Sequence, residues 1–122
     1  LDPTRGPTAK IVFGAFAGGV LVGVVGCVQY AKVKSRHKAV IWGMYVAPEA
    51  RGQGVGRALL DRAVAEATTW PNVARLVLSV VERGTAARAL YRSVGFTPYA
   101  REVDAFRQGA QSDAIEFLAL EL

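Results

Sequence analysis

The sequence predicts a mixed α/β fold in which one central sheet is flanked by helices. Val40–Val46 is an apolar run rich in β-branched and aromatic residues, which is typical of a buried strand. A glycine-rich turn and an amphipathic helix follow this run directly, and further strand-like runs lie on both sides of the unit. The chain has 122 residues, so we expect a single domain over 1–122 with one hydrophobic core.

The composition narrows the classes of partner. A formal net charge of +5 favours an acidic partner, such as a phosphate-bearing cofactor or nucleic acid, without choosing between them. The single cysteine, Cys27, excludes an internal disulfide and a cysteine-based zinc site, and it is typical of a reduced, cytoplasmic protein. No cleavable signal peptide is expected, because the apolar stretch lies too far into the chain.

Ile11–Tyr30 has no charged residue and permits two interpretations. Its length and its two Gly-x-x-x-Gly spacings resemble a membrane-spanning helix. The alternative is a β-hairpin with strands at Ile11–Ala17 and Val20–Tyr30 joined by Gly18-Gly19. Glycines weaken a helix, whereas Gly-Gly between β-branched runs favours a hairpin turn. We therefore predict the hairpin and no membrane partner.

A basic segment, Ala31–Lys38, follows the predicted hairpin. Such a charge run is usually a solvated loop, and it would also attract an acidic ligand electrostatically. A nucleic-acid patch would have aromatic residues interleaved with the basic ones, and this segment has none. The sequence therefore predicts no nucleic-acid partner.

The glycine-rich turn is the main candidate for a binding site. Gly52, Gly54 and Gly56 alternate with Gln53 and Val55, so backbone N–H groups can turn towards one point without obstruction by side chains. The helical period that follows runs to about Thr69. Because a helix N-terminus carries unpaired N–H groups and partial positive charge, this turn predicts an anion site, most naturally for phosphate.

The remaining elements follow from local patterns. Ala74–Val81 reads as a strand buried on both faces. A short helix is predicted from an N-cap at Thr85 to Gly95, because threonine caps helix starts and glycine ends helices. A closing antiparallel pair and its polar connecting loop are predicted at Tyr99–Phe106, Ala114–Leu122 and Arg107–Asp113.

The spacing of the turn distinguishes three kinds of phosphate ligand. A P-loop is excluded, because Gly56 is followed by Arg57-Ala58 rather than by lysine and a hydroxyl residue. A dinucleotide fingerprint is excluded, because its sixth position is also Arg57. Arg51-Gly52-Gln53-Gly54-Val55-Gly56 instead matches every fixed position of an acyl-CoA turn.

Here the chain resembles the GNAT superfamily of N-acetyltransferases. Met44-Tyr45-Val46-Ala47-Pro48-Glu49 resembles the strand end before the family's pyrophosphate turn, and residues 87–96 resemble its A-x-x-L-Y-x-x-x-G-F helix. The resemblance implies a mixed sheet of about six to seven strands, mostly antiparallel with one splayed parallel pair, flanked by helices. The family's usual N-terminal strand and two helices are missing, so the predicted domain is N-terminally incomplete. The sequence leaves open whether that start is truncated, disordered or replaced.

The resemblance also implies a function. It predicts an acyltransferase that moves acetyl from acetyl-CoA to a primary amine, on a small molecule or a protein N-terminus, by direct attack and without a metal. The acceptor is left open, and a homodimer is compatible with the family. The alternative is a non-catalytic module that binds CoA.

Site residues are carried over from the family's motifs. The implied cofactor-binding set is Met44, Tyr45, Val46, Arg51, Gly52, Gln53, Gly54, Val55, Gly56 and Arg57. Met44 and Val46 would pair with pantetheine through the main chain, although both would equally suit a core strand. Tyr91 corresponds to the tyrosine that protonates the leaving thiolate, although a tyrosine there would also pack against the sheet. The general base is unassigned among Glu82, Glu102, Asp104 and a water held by Ser79.

Overall fold

The structure is a computed structural model that describes residues 9–122 of the chain. The predicted irregular lead-in, Leu1–Thr8, lies outside the described residues. Six strands and two helices alternate in the predicted order. Their bounds are β1 Lys10–Ala17, β2 Val20–Gln29, β3 Lys38–Val46, α1 Val55–Ala67, β4 Arg75–Val81, α2 Thr85–Val94, β5 Thr97–Gln108 and β6 Gln111–Glu121.

The six strands form one sheet in the order β1-β2-β3-β4-β6-β5. Pairing is mostly antiparallel, with one parallel pair, so the predicted mixed α/β fold class is confirmed. The chain divides into two compact units. The first extends to Leu76 and includes Glu121–Leu122, and the second is Val77–Leu120.

In the first unit, β1 and β2 form the predicted hairpin, with Gly18 and Gly19 in the turn at φ 57° and 80°. β2 then pairs antiparallel with β3. Helix α1 covers one face of these strands and buries its apolar stripe against them, because its small and aliphatic residues recur at helical spacing. The fully or nearly fully buried residues of α1 are Leu59, Leu60, Ala63 and Ala67.

The hairpin excludes the membrane-helix interpretation of Ile11–Tyr30, because these residues are extended and pair across β1 and β2. No helix in the described part of the chain is long and apolar enough to cross a membrane.

In the second unit, α2 packs beside the β5–β6 hairpin. Arg88 and Arg92 on α2 both reach the Glu116 carboxylate on β6, at 3.2 and 3.4 Å. Phe96, which is 1% exposed, follows α2 and meets the Tyr91 ring edge-on at 6.2 Å between centroids. Leu118 completes this small core.

Two local predictions are wrong. The N-cap of α2 is Gly84, with no side-chain cap, and Thr85 is already the first helical residue. Arg107–Asp113 is not a loop, because β5 continues to Gln108, β6 begins at Gln111, and only residues 109 and 110 turn between them. Strand pairing therefore overrides the polar composition of this segment, which lies on a solvent-exposed hairpin.

Candidate functional site

The glycine turn adopts a conformation that requires glycine at two positions. Gly52 has φ 76°, and Gly54, the N-cap of α1, has φ 83°. L-residues adopt this left-handed region only at a cost of about 1–2 kcal/mol. A Cβ built on Gly52 or Gly54 would meet no heavy atom within 4 Å, so the turn faces open space.

The main-chain amides of this turn are available to a ligand. Gly52, Gln53 and Gly54 find no main-chain acceptor for their N–H groups within residues 9–122. The first α-helical bond runs from the Ala58 N–H to the Gly54 carbonyl, at 3.0 Å. The N–H groups of Val55 and Gly56 belong to the first helical turn, where no intrahelical acceptor exists. The turn is thus a cluster of donors at the positive end of α1.

The two arginines that flank the turn have different hydrogen-bond partners. The Arg57 Nε contacts both Asp61 carboxylate oxygens, at 3.0 and 3.1 Å, on the exposed side of α1. The Arg51 Nε donates to the Val46 carbonyl at 2.9 Å, and its guanidinium lies 5.7 Å from the centre of the half-exposed Tyr45 ring. Arg51 therefore braces the turn against the end of β3.

An apolar groove of about 430 Å³ borders the turn within the first unit. Val55, Ala58 and Leu59 of α1 line it together with Phe13–Ala15 of β1. The Arg62 guanidinium closes one side, 5.1 Å from the centre of the Phe13 ring.

Strand β3 contains a β-bulge at Gly43. Gly26 pairs with Trp42 and Val24 pairs with Tyr45, so Gly43 and Met44 together oppose a single residue of β2. Gly43 has φ 65°, the left-handed conformation that glycine adopts in one common class of bulge. The bulge shifts the alternation of β3 by one residue.

This shift decides where the main-chain groups of β3 point. Before the bulge, the Tyr30 N–H donates to the Lys38 carbonyl, so even-numbered residues of β3 face β2. After it, the Ala47 N–H donates to the Val22 carbonyl at 2.8 Å, so odd-numbered residues face β2. The N–H and C=O groups of Met44 and Val46 consequently point away from β2, which is the orientation that main-chain pairing with pantetheine requires.

Gly43 is the residue of the candidate site that the sequence analysis missed. A glycine in the middle of an apolar strand often marks a bulge, so Trp42-Gly43-Met44 contained a usable indication. The family motif begins at Met44, so it does not include this glycine.

Tyr91 lies in the second unit, on the buried face of α2, and is 7% exposed. Burial raises the pKa of its phenol, so the hydroxyl stays protonated. Every fully buried side-chain nitrogen or oxygen in residues 9–122 has a hydrogen-bond partner, and the Tyr91 hydroxyl makes none there. Its oxygen therefore retains contact with solvent. Tyr91 fits both a core aromatic and a proton donor.

The candidate bases are engaged elsewhere or exposed. Glu82 forms an ion pair with Arg101, and Arg101 hydrogen bonding holds the pKa of the Glu82 carboxyl below its usual value. Arg107 hydrogen bonding does the same for Asp104, whose Oδ1 also accepts from the Ser112 hydroxyl at 2.6 Å. A carboxylate with a lowered pKa is a weak base near neutral pH.

A charged cavity of about 520 Å³ in the second unit is lined by Glu82, Arg101, Asp104 and Ser112, among others. Ser79 and Glu102 are exposed on β4 and β5. Among the described residues, no three His, Cys, Asp or Glu side chains are grouped to hold a metal ion.

Comparisons with known proteins agree with this architecture. A mycothiol acetyltransferase from Beutenbergia cavernae is 40% identical over 72 residues, which cover 59% of this chain and 24% of the relative. A spermidine N(1)-acetyltransferase from Vibrio cholerae is 28% identical over 83 residues, covering 68% of this chain and 48% of the relative. The chain therefore spans about a quarter and about half of these relatives.

The crystal structure of a GNAT-family acetyltransferase from Streptococcus pneumoniae superposes with a TM-score of 0.87 at 23% identity, covering 93% of this chain and 67% of that one. This likeness concerns the fold. Residues 2–96 match the sequence profile described as the acetyltransferase (GNAT) family. Since that match takes in most of the chain, including the glycine turn and Tyr91, this protein belongs to the acetyltransferase (GNAT) family.

Proposed function

We propose that this protein binds acetyl-CoA and transfers its acetyl group to a primary amine by direct attack. The observation that carries the proposal is the pairing of two features in the first unit. Open amides lie at the mouth of α1, and a bulged strand beside them turns its Met44 and Val46 main chain outward from β2. GNAT acetyltransferases use acetyl-CoA, whose diphosphate and pantetheine amides suit these groups.

The turn would hold the diphosphate. Its donors are main-chain N–H groups from Gly52 to Gly56, fixed by two left-handed glycines and oriented by α1. Such donors need no rearrangement to meet an anion, and the helix dipole adds to their attraction. Arg51, Gln53 and Arg57 would add side-chain contacts at the rim.

Strand β3 would align the acyl arm. The outward groups of Met44 and the N–H of Val46 would pair with pantetheine amides as a neighbouring strand does, while the Val46 carbonyl accepts from Arg51. The Met44 N–H would then lie near the thioester carbonyl, whose oxygen becomes anionic as the amine attacks. A donor aimed at developing charge lowers the barrier more than one aimed at the ground state.

Tyr91 would act as the general acid. The amine nitrogen bonds to the carbonyl carbon, the carbon–sulfur bond breaks, and the thiolate takes the proton of the Tyr91 hydroxyl. Its raised pKa keeps that proton available across the physiological range. The amine would lose its own proton to solvent or to a water held by Ser79, since Glu82 and Asp104 are ion-paired.

A second candidate is a non-catalytic CoA-binding module. The ion pairs that occupy Glu82 and Asp104 favour it, because they leave the described residues without an evident carboxylate base. The Tyr91 hydroxyl, which is not fully buried and makes no hydrogen bond within the described chain, favours transfer.

Two measurements test the proposal and separate the candidates. Calorimetry with CoA should show 1:1 binding, and a thiol-release assay with acetyl-CoA should show turnover on at least one of a panel of amines that includes spermidine and peptide N-termini. Binding without turnover on any amine would favour the module. No binding at all would contradict both.

We also propose a cytoplasmic location, no membrane partner and no metal requirement, and a homodimer is compatible with the family. Light scattering and activity after chelation check the last two.

A further inference from the structure

The positive charge of this protein is concentrated at one end of its first unit. Seven arginines of the described chain form ion pairs with carboxylates. Seven other cations form no ion pair with a carboxylate of residues 9–122. Two of them, Arg51 and Arg62, lie at the glycine turn and its groove, and the other five lie away from it. These five, named here the basic end, are Lys10, Lys32, Lys34, Arg36 and Lys38.

The topology brings these five residues together. Lys10 opens β1 opposite Val28, near the point where β2 ends. Lys32, Lys34 and Arg36 lie exposed on the connection from β2 to β3, and Lys38 opens β3. No acidic residue interrupts the segment from Tyr30 to Lys38.

The connection that carries the basic end is held in one conformation. The Gln29 side chain, 6% exposed, donates from Nε2 to the Arg36 carbonyl at 2.7 Å and to the Pro71 carbonyl at 3.2 Å. The His37 carbonyl accepts from the Ala74 and Arg75 N–H groups, at 2.7 and 3.1 Å. A buried glutamine used in this way fixes the loop, so its cations are presented at set positions rather than on a flexible tail.

The basic end is too far from the glycine turn to serve it. Strand β3 lies between them, and the eight steps along its nine residues, at about 3.3 Å a step, span about 26 Å. Salt screens exposed charges over about 8 Å at physiological ionic strength. The cations therefore do not guide the cofactor's phosphates into the turn, and another anion must be their ligand if they have one.

We propose that the basic end is a docking surface for the phosphodiester backbone of a nucleic acid. Lysine is depleted in protein–protein interfaces, whereas it contacts phosphates as a point charge. Four of the five cations are lysines. A membrane surface would also require an apolar anchor, and exposed Val33 is a small one.

This surface reads no base sequence. Tyr30 is the single tyrosine, phenylalanine or tryptophan from Tyr30 to Lys38. Lys38 Nζ covers its ring, 5.0 Å from the ring centre. The lack of interleaved aromatics, from which the sequence analysis expected no nucleic acid, therefore excludes base stacking but not backbone contact. The inference does not depend on acetyl transfer.

The test is fluorescence anisotropy of the 122-residue chain with a labelled 20-nucleotide single-stranded RNA and a 20-base-pair DNA duplex. With five phosphate contacts, log K on the single strand should fall against log salt with a slope of about −3.5. The affinity should then drop about 100-fold between 50 and 200 mM salt. Lys32→Gln/Lys34→Gln/Arg36→Gln should weaken binding at least tenfold and bring the slope to about −1.4.

The matched control removes the same charge elsewhere. Arg83→Gln/Arg92→Gln/Arg107→Gln takes three cations from the second unit and should leave nucleic-acid binding within threefold of the parent. Circular dichroism and calorimetry with CoA establish that both variants are folded. Equal loss in the two variants, no binding to either nucleic acid, or binding only to vesicles with phosphatidylserine or to polyglutamate would overturn the proposal.

Discussion

The Tyr91 side chain combines a buried ring with a hydroxyl that makes no hydrogen bond within the described chain. Its ring is part of a small core with Phe96, yet its hydroxyl oxygen has no partner within the described chain and retains solvent contact. A buried ring fixes the position of the oxygen, and a free hydroxyl remains able to donate. This is the arrangement that a general acid needs, because geometry must compensate for its high pKa.

Replacing Tyr91 with phenylalanine should lower kcat about 100-fold, the lower range for loss of a general acid, while the KM for acetyl-CoA changes less than threefold. The alkaline limb of the pH profile, above the ordinary phenol pKa, should disappear. Steady-state kinetics measure both effects. Tyr99→Phe is the matched control, because Tyr99 is 59% exposed and should tolerate loss of its hydroxyl. Unchanged kcat in Tyr91→Phe would remove the tyrosine from the mechanism.

The buried thiol of Cys27 should make the protein less stable at alkaline pH. Burial, with a smaller contribution from Glu66, raises the pKa of its thiol from 9.0 to about 12. The folded state therefore binds a proton that the unfolded state releases, so this stability is present below pH 9 and lost as pH rises towards 12. The loss should reach about 2 kcal/mol between pH 9 and 11.

Urea unfolding of the parent and of Cys27→Ala at several pH values isolates this effect. The alanine variant should be less stable at pH 7, because it leaves a cavity, but its stability should decline less steeply above pH 9. Parallel declines in the two proteins would show that the thiol is not responsible.

At the scale of an element, substitutions in the glycine turn can distinguish the effect of backbone strain on folding from the effect of ligand contact on binding. Gly54→Ala should cost about 1–2 kcal/mol of folding stability, since φ is 83° and no neighbour would clash. If the turn holds the CoA diphosphate as proposed, the change should also weaken CoA binding at least tenfold, because the new methyl would extend into the open space in front of the amides.

Gly18→Ala provides the comparison. Gly18 has φ 57° and the same open surroundings in the β1–β2 turn, so the cost in stability should be similar. Its CoA affinity should be that of the parent. Thermal unfolding and calorimetry measure the two quantities, and equal affinity loss in both variants would mean that backbone strain, not contact, governs binding.

The hairpin and β3 are joined by close packing of Trp42 over Gly26. A Cβ on Gly26 would lie 2.2 Å from Trp42 Cε2. Gly26→Ala should therefore destabilise the protein by about 1–3 kcal/mol through overpacking. In the Trp42→Ala background the same change should cost much less, and a double-mutant cycle by urea unfolding measures the coupling. Additive effects would contradict the packing.

The sequence predicted elements best where burial imposes a period. Val40–Val46, the β1–β2 hairpin and α1 all bury one or both faces, and their bounds differ from the structure by one to two residues. β5 was underestimated because nearly all of its residues are exposed, so no apolar alternation marks Arg107 and Gln108 as strand. The pairing of β5 with β6 is also irregular around Asp104, where φ is 53°, so the strand has no continuous alternation that the sequence could show.

For the whole molecule, the family and the turn were predictable, but the roles of individual residues were only partly so. The turn at Arg51–Arg57 was predictable because its glycines occur at the fixed spacing of the family motif. The direction of the Met44 and Val46 main chain was invisible, since backbone groups leave no side-chain trace. The state of Glu82 depends on Arg101, nineteen positions away, and only the folded chain brings them together. Whether these residues act as proposed stays a prediction.

The bulge at Gly43 has a consequence for how this chain can vary among relatives. We expect residues 38–46 to tolerate the exchange of one apolar side chain for another, but not a change in length. Losing Gly43 would restore an uninterrupted ladder with β2, yet it would offer a cofactor the peptide groups of Tyr45 and seal those of Met44 and Val46 inside the sheet. A deletion at this position in a relative would therefore indicate a protein that keeps the fold but no longer turns the Met44 and Val46 groups away from β2.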